Sequence, residues 1–255
     1  MNDMAGQIVL VTGSTSGIGR AVALRLAESG ATVAIHGRNA AAAEKVADAI
    51  SRSAGSVAGI FLADIATPDG CTELLAAVRK TCPELHAACL IAGADTLTGS
   101  SASLSFEDKL KLLYDTDVRS TLLLGRGLGH LLKGREGSSI VTTGWDQAAT
   151  GMEGDSGELF STIKGAVMAF TKSLAKSLAP HVRVNCVAPG WIKTAWGDQA
   201  SKEWQDRAVR ECLLERWGES GDIADAVRWL ISPQASFVTG QIINVNGGFR
   251  TNQNN

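Results

Sequence analysis

Three glycines carry the first chemical signal. Gly13, Gly17 and Gly19 stand at Gly-x-x-x-Gly-x-Gly spacing, directly after the apolar run Val9-Leu10-Val11-Thr12 and directly before an alanine-rich amphipathic stretch. That order reads strand, turn, helix. Glycines let the main chain approach a bulky anion, and the free N–H groups at a helix start offer partial positive charge to phosphate. The ligand this suits is a dinucleotide pyrophosphate, with Ser14, Thr15, Ser16 and Ile18 completing the loop. The spacing differs from the dinucleotide fingerprint Gly-x-Gly-x-x-Gly. Ile18-Gly19-Arg20 also lacks the Gly-Lys-Ser/Thr ending of a nucleoside-triphosphate loop. Taken alone, the glycines also suit a tight turn that binds nothing.

A second signal follows Thr32-Val33-Ala34-Ile35, where the chain continues His36-Gly37-Arg38-Asn39. An acidic residue at this place binds the ribose 2′-hydroxyl in many dinucleotide folds. Here the carboxylate is missing and a guanidinium is present, which pairs a 2′-phosphate and favours NADP over NAD, NAD remaining possible. The plainer alternative is a solvated surface arginine.

Lys164 lies in the helical stripe Phe160, Ile163, Val167, Thr171 and Leu174, a face expected to meet the core. A charge there needs a partner, unless its long stem carries it out to water. The polar loop before it holds Asp146, Glu153, Asp155 and Glu158; these read first as four solvated acids on a flexible loop, with Asp146 the candidate replacement acid if burial beside Trp145 raises its pKa. Trp145, Trp191 and Trp196 suggest a flat or aromatic substrate, although Trp191 and Trp196 also suit the packing of a lid. No metal site is expected: the five cysteines are scattered and odd in number, and His36, His86, His130 and His181 lie outside these motifs.

The elements that must position these residues alternate along the chain. Strands are expected at Val9–Thr12, Thr32–His36, Val57–Leu62, Ala87–Ile91, Ser139–Thr143, Val182–Ala188 and Gln241–Val245. Helices are expected at Arg20–Ser29, Ala40–Ser51, Cys71–Lys80, Phe106–Leu132, Leu159–Leu178 and Ile223–Ile231. This is an α/β pattern: a Rossmann-like, doubly wound parallel sheet of about seven strands with helices on both faces and a ligand crevice beyond the strand ends. Residues 191–217, where Trp191, Trp196, Trp204 and Trp217 bracket one expected helix placed to cover the crevice, read as a substrate lid.

A length of 255 residues suits one domain, 1–255. Hydrophobic residues at 45%, charged residues at 20% and a net charge of −2 give no bias toward nucleic acid or membrane. Met1-Asn2-Asp3-Met4 lacks the features of a signal peptide, so a cytoplasmic location is expected.

Over nearly its whole length the chain resembles the short-chain dehydrogenase/reductase family. The likeness is carried by Thr12 to Gly19, Asp64-Ile65, Ala92-Gly93, Lys164, Asn185, Pro189-Gly190-Trp191-Ile192-Lys193-Thr194 and the Gly240 to Gly248 ending. It implies a nicotinamide cofactor, with the glycine loop at the pyrophosphate and Asp64 and Ile65 at the adenine. Pro189, Gly190, Ile192 and Thr194 would lie beside the nicotinamide, and Lys164 would meet the nicotinamide ribose. It also implies a homodimer or homotetramer, formed through the long helices after the fourth and fifth strands.

The family's catalytic asparagine, serine, tyrosine and lysine fall on Asp117, Trp145, Phe160 and Lys164. Only the lysine is kept. A phenyl ring has no O–H to give a carbonyl oxygen, and an indole N–H does not mimic a small hydroxyl. Asp117 is nearly isosteric with asparagine and could pair with Lys164. The leading expectation is an NADP(H) oxidoreductase acting on a small carbonyl or alcohol through an atypical relay. A cofactor-binding pseudoenzyme or redox sensor, and a lyase or isomerase using Asp146 or Asp117 as base, are the alternatives.

Overall fold

A computed structural model describes residues 3–250; the expectation resting on Met1 and Asn2 lies outside them. The first strand, β1 (Ile8–Thr12), is built of β-branched and leucine residues, and everything after Ile8 is buried. Its side chains alternate: Val9 and Val11 join one core layer, Leu10 the other. A strand buried on both faces reads as a continuous apolar run, as expected for the middle of a parallel sheet. Leu10→Ala would cost about 2–5 kcal/mol.

Helix α1 (Gly17–Glu28) follows, then β2 (Thr32–Gly37), α2 (Ala40–Arg52), β3 (Ser56–Leu62), α3 (Pro68–Thr81) and β4 (Leu85–Leu90). Thr67 caps α3 by accepting the N–H of Gly70, and Pro68 occupies the first helical position. After β4 come α4 (Phe106–Leu113), a π-helical turn at Tyr114–Arg119 and α5 (Ser120–Leu132). The second half runs β5 (Ser139–Thr143), α6 (Gly154–Leu178), β6 (Arg183–Pro189), β7 (Ile192–Lys193), α7 (Ala195–Gln199), α8 (Lys202–Glu211), β8 (Gly218–Glu219), α9 (Ser220–Ile231) and β9 (Ile242–Val245).

The main sheet has seven parallel strands in the order β3-β2-β1-β4-β5-β6-β9. Helices α1 and α9 pack on one face and α3, α5 and α6 on the other, so this is the expected doubly wound α/β architecture. The chain order reverses between β1 and β4, and the crevice beyond their carboxyl ends is the switch point of the fold.

Three expectations are corrected. The helix read over Phe106–Leu132 runs without a break but passes through a π turn at Tyr114–Arg119, a rare form that apolar spacing was not read for. Helix α6 begins at Gly154 rather than Leu159, its first turn being polar and glycine-bearing. The lid segment contains two helices, α7 and α8, and Ile192–Lys193 pairs with Gly218–Glu219 to close its base.

Candidate active site

Gly13 takes φ +66°, and a Cβ there would stand 2.8 Å from Ala92 Cα; a Cβ on Gly19 would stand 2.2 Å from the Gly13 carbonyl oxygen. Both glycines are therefore required by close backbone approach, which brings β1, the start of α1 and the end of β4 together. His36 fastens the loop. Its Nδ1 accepts the Gly13 N–H at 3.2 Å while Nε2 lies 3.2 Å from the Ala63 carbonyl, so the ring proton sits on Nε2. Burial is the main reason its pKa falls from 6.5 to about 4. The sequence put His36 at the end of the second strand, and nothing in its spacing showed that the ring would bridge three segments.

Lys164 is carried on α6, which Thr171 pins to β5 through a 2.6 Å bond with Thr142. Its ammonium lies 2.6 Å from Asp117 Oδ1 and 3.4 Å from the Thr143 carbonyl oxygen. Asp117 stands in the π turn, 1% exposed, and its Oδ2 accepts the Ala94 N–H at 2.8 Å. The charge on the core stripe is thus neither carried to water nor left alone: Lys164 is 8% exposed and paired. Gly93 leaves room for the pair, since a Cβ there would meet Asp117 Oδ1 at 2.9 Å.

Trp145 leaves β5 and Phe160 stands one turn before Lys164; their rings meet edge to face with centroids 6.2 Å apart. Phe160 rests on the small cluster of Leu113, Val118, Leu159, Ile163 and Val167 that backs the site.

These groups open on one cleft of about 610 Å³. Gly13, Thr15, Ser16, Gly17, Ile18, Gly19, Arg38, Asp64 and Ile65 line one end. Ala92, Gly93, Asp117, Trp145, Phe160, Lys164, Pro189, Gly190, Trp191, Ile192, Thr194 and Trp196 line the rest. Two expected cofactor residues do not line it. The Ser14 hydroxyl is spent on the backbone of His36, accepting its N–H at 3.0 Å, and Asn39 caps α2 by accepting the Ala42 N–H. Asp146 is also absent from the lining. Burial raises its pKa from 3.8 to about 6, in the expected direction, yet its Oδ2 accepts from Asn246 Nδ2 at 2.9 Å, beside Gly190. Glu153, Asp155 and Glu158 are exposed.

Leu97, Met152, Ser156 and Trp204 line the cleft and were not read from the sequence. Trp204 had a signal, its place among the lid tryptophans. Trp191, Trp196, Trp204 and Trp217 form one cluster, with centroids 5.5 Å apart for Trp191 and Trp204 and 5.9 Å for Trp196 and Trp217. Trp191 donates to Glu211 at 2.9 Å, and the Arg207 guanidinium lies 5.0 Å from the Trp204 ring centroid.

A family model described as enoyl-(acyl carrier protein) reductase matches residues 13–250. The chain is also 33% identical to a 3-oxoacyl-acyl-carrier-protein reductase of Aquifex aeolicus, over 96% of this chain and 98% of the relative. The chain belongs to the short-chain dehydrogenase/reductase family. Solved structures of similar fold include a short-chain dehydrogenase from Burkholderia cenocepacia in complex with NADP, 27% identical with a TM-score of 0.86, covering 96% of this chain and 98% of that one. Another is a 7α-hydroxysteroid dehydrogenase complexed with NADH and 7-oxo glycochenodeoxycholic acid, 26% identical with a TM-score of 0.87, covering 98% and 97%. As a short-chain dehydrogenase/reductase, the chain is an oxidoreductase by family. Among the described residues no helix is long and apolar enough to cross a membrane, and no group of three or more metal-ligating side chains occurs.

Proposed function

We propose that this chain is an NADP(H)-dependent oxidoreductase that moves a hydride to or from a small substrate, at the carbonyl or alcohol level, with the buried Lys164–Asp117 pair in place of a hydroxyl relay. The observation that carries the reading is that the anion-ready glycine turn and the Lys164 ammonium open on the same cleft.

The residues fit the cofactor. Helix α1 starts with no side-chain cap and no acid in its first turn, so the N–H groups at Gly17, Ile18 and Gly19 remain available to a pyrophosphate. A Cβ placed on Gly17 meets nothing nearer than Thr194 Cγ2 at 3.9 Å, so the loop surface is open. Arg38 stands at the adenosine end, where its fork suits a 2′-phosphate and argues for NADP ahead of NAD. When bound, the nicotinamide supplies or accepts the hydride.

The chain's own residues do the rest. Trp145 and Phe160 exclude water from the reacting end while donating no O–H of their own. Asp117 holds the Lys164 ammonium toward the cleft, making it the proton-bearing group that remains there. Asp146 turns one oxygen to Asn246 and stands outside the cleft lining, which favours Lys164 over it in that role. The exposed apolar side chains Phe106, Leu110, Tyr114 and Leu123 along α4 to α5 support a homodimer or homotetramer assembled through those helices.

The test is a tryptophan-fluorescence titration with NADPH and NADH, followed by an NADPH-oxidation assay on a carbonyl panel. Saturable NADPH binding, with ketone turnover rising about a hundredfold in Phe160→Tyr, is expected, a positioned general acid being worth that much. Absence of affinity for either dinucleotide overturns the reading.

A further inference from the structure

Around the Lys164 ammonium the cleft has an aromatic wall and no free acid. Trp145 and Phe160 stand beside it, and Trp196 and Trp204 contribute from the lid, their centroids 6.0 Å apart. Lys164 is committed to Asp117 and to the Thr143 carbonyl. The Asp95 carboxylate, at the cleft edge, accepts the N–H groups of Leu97 and Thr98 and the Thr98 hydroxyl, an acceptor's place rather than a donor's. Ser156 and Thr116 also line the cleft, the Thr116 hydroxyl oxygen being itself buried, and among the described residues neither is hydrogen-bonded to Lys164 or Asp117. The segment 150–158 lends Met152 and Ser156 to the lining; of its three exposed carboxylates, Glu153 is paired with Arg207.

A ring-walled pocket whose one proton-bearing group, the Lys164 ammonium, is held by Asp117 and the Thr143 carbonyl is poorly made for reducing a ketone, whose product oxygen carries a full negative charge until it is protonated. It is well made for a substrate that arrives positively charged. We propose that the preferred substrate of this site is a preformed carbon–nitrogen cation, an iminium, interconverted with its amine. The proposal rests on the nicotinamide reading above and narrows its substrate from a carbonyl to the cationic nitrogen analogue.

The step balances without an acid. The iminium carbon gains a hydride from the reduced nicotinamide and forms one C–H bond. The C=N π pair becomes the nitrogen lone pair, and the nicotinamide is left oxidised. One positive charge moves from substrate to cofactor and the charge of the cleft is unchanged, so no proton has to enter or leave. The rings then have a role that hydroxyls could not fill: an aromatic face attracts a desolvated cation through its quadrupole. The Lys164–Asp117 pair is consistent with this, because Asp117 offsets the Lys164 charge, as Glu153 and Glu211 offset that of Arg207 above the Trp204 ring.

The test compares two probes of the same bicyclic shape, the permanent cation N-methyl-dihydroisoquinolinium and the neutral ketone tetralone. Binding is read by calorimetry on the protein with and without NADPH, and turnover by NADPH oxidation. The cation is expected to bind about tenfold more tightly than the ketone, the effect of one or two cation–π contacts. Turnover of the cation should exceed that of the ketone by about a hundredfold, since the ketone alone needs the missing acid. Trp145→Leu should shrink the binding preference, and Phe160→Tyr should narrow the turnover gap by raising the ketone. Equal or tighter binding of tetralone, or a preference untouched by Trp145→Leu, overturns the proposal while NADPH binding leaves the cofactor reading standing. Absence of NADPH binding overturns both.

Discussion

The Lys164 ammonium and the Asp117 carboxylate face each other at 2.6 Å, one on α6 and the other on the π turn, with almost no water between or around them. Removing one partner leaves a buried charge uncompensated, which costs about 3–5 kcal/mol. Lys164→Met should therefore destabilise strongly. Asp117→Asn keeps an acceptor for the Ala94 N–H and should cost less, about 1–3 kcal/mol. The double variant should be more stable than the sum of the two losses by at least about 1 kcal/mol, because it removes the orphaned carboxylate. Urea unfolding of the four proteins checks this; strict additivity would mean that the pair is not coupled.

His36 and Asp146 pull stability in opposite directions with pH. His36 has a folded pKa near 4 against 6.5, so its contribution is complete above pH 6.5 and is lost as pH falls toward 4, about 3 kcal/mol in all. Asp146 has a folded pKa near 6 against 3.8, so its contribution is complete below 3.8 and is lost as pH rises through 6. Between those limits the two partly offset. Asp146→Asn should stabilise the protein by about 1–3 kcal/mol at pH 8 and by almost nothing at pH 4. It should also leave a steeper acid loss than the parent shows. Unfolding midpoints at several pH values decide it, and a gain that is constant with pH would show that ionisation of Asp146 is not its source.

Arg38 stands exposed at the cleft wall. Arg38→Ala should weaken NADPH binding about tenfold and leave NADH binding within a factor of about two, the loss shrinking as salt is raised. Titrations at two ionic strengths check it. Equal weakening of both dinucleotides would place the guanidinium away from the 2′-phosphate.

The parts legible in the sequence were those with a short-range pattern. The strand runs and the glycine spacing gave the sheet and its crevice, because burial on both faces demands continuous apolar strands. Lys164 was legible as a charge on an apolar stripe, and Asp117 as its possible partner. What escaped depends on direction rather than spacing. Ser14 sits among glycine-loop residues yet turns its hydroxyl to β2, and Asp146 follows Trp145 yet turns to Asn246, a hundred positions away in sequence. The π turn escaped because it keeps the chain helical on both sides and differs only in its backbone hydrogen bonds.

The lid is held by more than its tryptophans. Trp191 donates to one oxygen of Glu211, Arg207 donates to the other at 2.7 Å, and Arg207 also reaches Glu153 at 2.7 Å, tying α8 to the segment before α6. Trp204 is shared between this network and the ring cluster, packing on Trp191 and Trp196 under Arg207. Trp204→Ala should therefore loosen the lid without unfolding the sheet, which shares few of these contacts. A loss of about 2–3 kcal/mol in the local closing free energy raises the open population roughly 30- to 160-fold. Trypsin, which cuts after residues such as Lys193, Lys202 and Arg210, should then nick the segment faster by a similar factor while the global unfolding temperature moves little. NADPH should slow the cleavage, because the same segment lends Trp196 and Thr194 to the cleft wall. Unchanged cleavage in Trp204→Ala would show that the lid is fastened elsewhere, and an equal drop in global stability would show that it is part of the main fold.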